Sequence, residues 1–251
     1  SSASFWKKGE GAMQRGFTIQ SKVDGLVLDG LVVEPEEGVQ RTALLQLSHG
    51  MSEYKERYLP FMEFMAEHGV VCVIHDHRGH GKSVKSEQDL GFMYGAGGAG
   101  LVEDLFLVTK WAKKEYPDLP FVLMGHSMGS YMLRKYLTIH NDDLRGAIIM
   151  GTGCVPDNTT KLGINVCKFL AKIFGWHHRS KLVESLSFGG PYKKYDLSGK
   201  TLSNSWLTKD EDIVKFYYSE PRCTFKFTLN GYLGLMEAVL YDNQLENVKK
   251  V

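Results

Sequence analysis

From about residue 42 onward, short apolar runs alternate along the chain with stretches of helical patterning. "TALLQLS" (42–48), "VVCVIHD" (70–76), "PFVLMG" (120–125) and "LRGAIIM" (144–150) are continuously apolar, the pattern of strands buried on both faces. Between them the spacing predicts helices near 56–68, 100–116 and 128–140; in the second, Leu101, Leu105, Val108 and Ala112 share one face. Strand and helix in alternation imply a mostly parallel sheet with helices on both faces. Upstream, "GFTIQSKV" and "LVLDGLVVEP" have strand composition and flank Asp24-Gly25, a tight hairpin signal. The expected class is α/β, with an antiparallel hairpin opening an otherwise parallel three-layer domain.

After Gly151 the alternation stops. "LGINVCKFLAKIF" (162–174) carries Leu162, Val166, Phe169, Leu170 and Ile173 on one face, with Asn165, Lys168 and Lys172 opposite. That face suits either packing against the core or lining an apolar channel. Aromatic, lysine-bearing segments follow, and "GYLGLMEAVLYDNQLENVKK" reads as a return to a core helix. The organisation expected is core over 1–150, an inserted helical cap or lid over 151–235, and a return to the core over 236–251.

Bulk properties narrow the function. With 251 residues, 43% hydrophobic and 24% charged, usage is close to that of ordinary globular proteins and the chain is long enough for a substantial core. A net charge of +1, with lysine pairs scattered at 113–114, 193–194 and 249–250, gives no footprint for nucleic acid. No run of 18 apolar residues exists to span a membrane, and "SSASFWKKGEGAMQRG" lacks the apolar stretch of a secretory signal. Cys72, Cys154, Cys167 and Cys223 are far apart and form no C-x-x-C; they are expected to be buried thiols in a reducing compartment, the cytoplasm.

The chemistry centres on "VLMGHSMGS" (122–130). G-x-S-x-G alone is weak, since chance supplies roughly 0.1 matches in a chain this long. Here, however, Gly125-His126-Ser127-Met128-Gly129 follows a buried strand and opens a helix, the setting of a nucleophile elbow. The glycines relieve collisions around a strained turn, and the helix N-terminus supplies positive potential and free N–H groups. "LSHGMSEY" (47–54) ends an earlier strand, and an oxyanion hole needs one amide from such a loop and one from the residue after the nucleophile. The amides of Met51 and Met128 are thereby nominated. His49 and Gly50 would shape the loop, glycine permitting close backbone approach.

"SHGMSEY", "HDHRGHGKS" and "GHSMGS", in that order and spacing, resemble the α/β-hydrolase superfamily and, within it, the monoacylglycerol lipase and lysophospholipase-like serine hydrolases. The resemblance runs from about residue 15 to the end. It implies an α/β-hydrolase fold, Ser127 as nucleophile, Met51 and Met128 as oxyanion donors, and a cap over an acyl-binding pocket. It also implies lipid-type carboxylic ester substrates and no cofactor. The expected partners are a small acyl ester and, through the cap, a transient membrane-surface contact.

In this fold the order is Ser, then acid, then His. The nine histidines stand at 49, 68, 75, 77, 80, 126, 140, 177 and 178. None lies in the expected place; His126 adjoins the nucleophile on a tight turn and should point away from it. Asp196, Asp210 and Asp242 all precede the strand after which the acid belongs. The expectation is that the last strand–helix units, with the triad Asp and His, lie beyond Val251, and that these 251 residues alone turn over little or no ester.

Two other function classes stay open. "IHDHRGHG" places His75, His77 and His80 after a strand, resembling the H-x-H-x-D-H run of binuclear metallohydrolases, though Gly79 replaces its aspartate. A catalytically silent lipid- or partner-binding protein is the other. "GAGGAG" (95–100) matches G-x-G-x-x-G, but no good strand precedes it, and a loop entering a helix accounts for it better.

Overall fold

The computed structural model describes residues 7–9, 12–188, 190 and 192–251. The stretch 1–6, read above for an export signal, lies outside the described residues. Seven strands form one sheet: β1 (Lys7–Gly9), β2 (Ala12–Gln20), β3 (Val27–Pro35), β4 (Ala43–Ser48), β5 (Val70–His75), β6 (Phe121–His126) and β7 (Leu144–Met150), in the order β1-β2-β3-β5-β4-β6-β7. β1 to β3 are antiparallel, and β3 meets β5 antiparallel; β5, β4, β6 and β7 run parallel. The β2–β3 hairpin turns at the expected dipeptide, with Gly25 at φ +75° and the Leu26 amide donating to Asp24.

The helices are α1 (Leu59–Glu67), α2 (Gly97–Glu115), α3 (Met128–Ile139), α4 (Asp157–Phe174), α5 (Lys181–Phe188), α6 (Glu211–Ser219), α7 (Pro221–Thr224), α8 (Leu229–Asp242) and α9 (Leu245–Val248). Successive strand residues divide between two cores, as a pleat of period two requires. Leu44, Val71, Val73 and Leu123 point into a core closed by α2, α3 and α8, while Leu45, Cys72, Ile74 and Met124 meet Met62 and Ala66 of α1. This is the three-layer α/β arrangement the pattern predicts. Among the described residues no helix is long and apolar enough to cross a membrane.

Three expectations need correction. β7 is not buried on both faces: Ile148, Ile149 and Met150 are exposed, since among the described residues β7 pairs with β6 alone. Cys154 is exposed in the connection after β7, whereas Cys72, Cys167 and Cys223 are buried; all four are free thiols. In α4 the buried positions are Thr160, Gly163, Ile164, Cys167 and Ala171, whereas Leu162, Phe169 and Ile173 face outward. Small residues won that face because α4 lies close on α8; a Cβ at Gly163 would come within 2.7 Å of the Met236 sulfur. Within "GAGGAG", Gly98 serves the same purpose, abutting the Gly234 backbone where α2 crosses α8.

Candidate active site

β6 ends at His126, α3 starts at Met128, and Ser127 between them holds φ +53° and ψ −119°. That left-handed φ is uncommon for a residue with a Cβ and is sustained here by ties on both sides. The Ser127 amide donates to the Met150 carbonyl (3.0 Å), and its own carbonyl accepts from the Ser130 amide (2.9 Å) and hydroxyl (2.6 Å). The two glycines are sterically required: a Cβ on Gly125 would strike the Gly129 carbonyl, and one on Gly129 would strike the Ser48 carbonyl. With both backbone groups of Ser127 engaged, its hydroxyl is left facing a cavity of about 470 Å³ shared with Met51, Phe188, Trp206, Tyr217 and Phe225.

The loop after β4 approaches the elbow from the neighbouring strand. A Cβ on Gly50 would lie 3.2 Å from the Ser127 Cβ, so glycine permits this approach. The Gly50 amide donates to Glu53 Oε2 (2.6 Å), the Gly50 carbonyl accepts from His49 Nδ1 (2.7 Å), and the Ser52 amide donates to His80 Nε2 (3.2 Å). Among the described residues the Met51 amide has no acceptor. The Met128 amide, in the first turn of α3, has no partner within its own helix. Ser127, Met51 and Met128 are therefore brought together, with His49 and Gly50 supporting the loop.

Glu53 escaped the sequence reading, although it stands three residues after Gly50 in the quoted "SHGMSEY". Its carboxylate also meets Arg57 (2.6 Å), the Tyr58 hydroxyl (3.1 Å) and His126 Nδ1 (3.5 Å). Burial alone would raise its pKa; the His126 hydrogen bond and the nearby Arg57 charge reverse this and hold it at about 2. His126 is thereby engaged at the edge of the elbow. His140 bonds Glu103, His68 bonds the Phe64 carbonyl, His177 stacks on Phe92, and His178 on Phe174. No imidazole among the described residues is hydrogen-bonded to the Ser127 hydroxyl.

His49, His75, His77 and His80 form a buried group beneath the loop, with ring centroids of successive pairs 4.4 to 5.1 Å apart. Burial lowers the pKa of all four, His75 and His80 to about 3. Their nitrogens do not converge: His77 Nε2 meets the Ser48 hydroxyl, His49 Nε2 accepts from the His77 amide, and both ring nitrogens of His75 lack a partner among the described residues. Among the described residues no group of three or more His, Cys, Asp or Glu side chains is arranged to hold a metal ion, so the ligand run suggested by His75, His77 and His80 is not assembled.

A family model described as serine aminopeptidase, S33, matches residues 39–248. Human monoglyceride lipase is 32% identical over 181 residues, covering 71% of this chain and 52% of that protein. A monoacylglycerol lipase of Mycolicibacterium smegmatis is 27% identical over 176 residues, 70% of this chain and 54% of that one. The chain thus spans about half the length of these curated relatives. Among solved structures, a thermostable carboxyl esterase from Bacillus coagulans in complex with glycerol superimposes with a TM-score of 0.79 at 26% identity, covering 90% of this chain and 72% of that chain.

Proposed function

The chain belongs to the α/β-hydrolase family described as serine aminopeptidase, S33, and from that membership we propose that the whole protein is a serine hydrolase of lipid-type carboxylic esters. Ser127 attacks the ester carbonyl and forms an acyl-enzyme; the amides of Met51 and Met128 bind the oxyanion. Each such donor contributes roughly 3 to 4 kcal/mol to the transition state. The observation that carries this is a strained serine facing an aromatic-lined cavity, beside a loop in which, of the amides of residues 50 to 52, that of Met51 alone lacks an acceptor among the described residues.

A volume of about 470 Å³ with Phe188, Trp206, Tyr217 and Phe225 on its walls suits a single acyl chain better than a peptide. Monoacylglycerols and lysophospholipids are the proposed substrates, in keeping with the names of the relatives. Of the expected cap at 151–235, the part ahead of α8, residues 151–228, acts as the cover over this cavity. Leu162, Phe169 and Ile173 of α4, exposed and interleaved with Lys161, Lys168 and Lys172, bring the cap transiently to a membrane surface.

The reaction needs a histidine base oriented by an acid, and none of the nine histidines fills that place. We therefore assign base and acid to residues outside these 251, and expect the 251-residue chain alone to hydrolyse little or no ester. A catalytically silent, lipid-binding protein is the competing assignment, favoured by the same lack of an imidazole at Ser127. Labelling with a fluorophosphonate probe, on protein expressed from the complete reading frame, separates them. Wild type should label and hydrolyse monoacylglycerol, and Ser127→Ala should do neither; equal labelling of both refutes the assignment.

A further inference from the structure

We propose that His80 is a positioning residue for the oxyanion loop, holding Ser52 so that the neighbouring Met51 amide is left free to face the reacting carbonyl. This rests on the serine-hydrolase function proposed above and adds to it a residue that touches neither substrate nor Ser127.

Ser52 holds φ +54°, the left-handed region, directly after the proposed donor. Three bonds secure this short loop. Glu53 takes the Gly50 amide, His80 Nε2 takes the Ser52 amide (3.2 Å), and the Ser52 hydroxyl donates to the Phe225 carbonyl (3.1 Å). Of the amides of residues 50 to 52, only that of Met51 lacks an acceptor among the described residues. Removing the His80 acceptor would let the Ser52 peptide rotate out of its strained conformation, and the Met51 N–H would turn with it, since the two amides flank one residue.

His80 is built for this task. Its Nε2 accepts, so its proton resides on Nδ1, which donates to the Arg78 carbonyl (3.1 Å). The ring is fully buried, edge-on to Phe225 and Phe227 at 5.2 and 5.3 Å and to His49 at 5.1 Å. Burial holds its pKa at about 3, so the acceptor lone pair persists across the neutral range. Phe225 also lines the cavity, so the ring that borders the acyl space also packs on the imidazole that holds the loop.

The test compares His80→Gln, whose amide reaches the Nε2 position, with His80→Asn, whose amide stops near Nδ1. Both are assayed in protein from the complete reading frame beside Ser127→Ala, with thermal melts by circular dichroism. Asn should lower kcat on the order of 10- to 100-fold, as loss of oxyanion stabilisation does, with KM changed less than about threefold. Gln should restore most of kcat. Equal kcat in the two variants, or a loss confined to KM, overturns the proposal. Should either variant fail to fold, hydrogen exchange on the unaltered protein decides: Ser52 should be protected and Met51 open, and a Ser52 amide exchanging as fast as that of Met51 overturns it. Full activity in Ser127→Ala would instead overturn the underlying hydrolase assignment, whatever the His80 variants do.

Discussion

Ser127 occupies a conformation that side chains avoid, and the glycines on either side are what make it tenable. Substituting Gly129 by Ala would drive a methyl group into the Ser48 carbonyl, which is backbone and cannot swing aside. We expect a loss of about 3 kcal/mol or more in unfolding free energy measured by chemical denaturation, or failure to fold. A second residue-scale effect comes from the buried imidazoles. His75 has both ring nitrogens without partners and a pKa lowered to about 3 by burial. A depressed histidine leaves the native state unprotonated while the unfolded chain takes up protons below about pH 6.5, so stability falls as pH drops from there towards 3. At pH 5 this amounts to about 2 kcal/mol for such a group. In His75→Phe the difference in unfolding free energy between pH 7 and pH 5 should shrink by about that amount; an unchanged difference would count against it.

Asp242 carries the opposite sign. Both carboxylate oxygens are buried without partners, and burial, only partly offset by Arg134 and Lys135, raises its pKa to about 7. The native state favours the protonated form, so this group costs stability progressively as pH rises from about 4 to 7. Asp242→Asn should therefore stabilise the protein at pH 8, by up to about 4 kcal/mol, and the gain should vanish near pH 4. A pH-independent difference would rule this out.

At the scale of elements, α4 shows how packing distance chooses a helix face. A face of Gly163, Ile164, Cys167 and Ala171 admits α8 closely, and the bulkier Leu162, Phe169 and Ile173 are left outside. The periodicity was visible in the sequence, but of the apolar face it marked only Val166 and Leu170 pack against the core. Close approach of two backbones can favour small residues over large ones. If the outward stripe meets a membrane surface, Phe169→Asp with Ile173→Asp should reduce sedimentation with anionic phospholipid vesicles at least fivefold. Hydrolysis of a soluble short-chain ester should be unchanged in that double variant. Retained vesicle binding would remove the membrane role from this helix.

Across the whole molecule, the sheet leaves the β7 margin open among the described residues. β7 pairs with β6 alone and exposes Ile148, Ile149 and Met150, an arrangement that invites further pairing. Expressed as these 251 residues, the protein should self-associate with rising concentration, and Ile149→Lys should diminish this in light scattering after size exclusion. A concentration-independent monomer mass would show the edge to be harmless.

The sequence by itself determined the strand–helix alternation, the Asp24-Gly25 hairpin, and the serine between a strand and a helix. Each is a periodicity or a turn preference expressed within a few residues of its cause. Only the tertiary structure decided that His80 meets Ser52, 28 positions away, and that Glu53 joins Gly50 to His126. Those outcomes depend on strand order, with β4 seated between β5 and β6 so that the loops after all three converge. Strand order follows from the summed packing of distant segments, which no local pattern encodes.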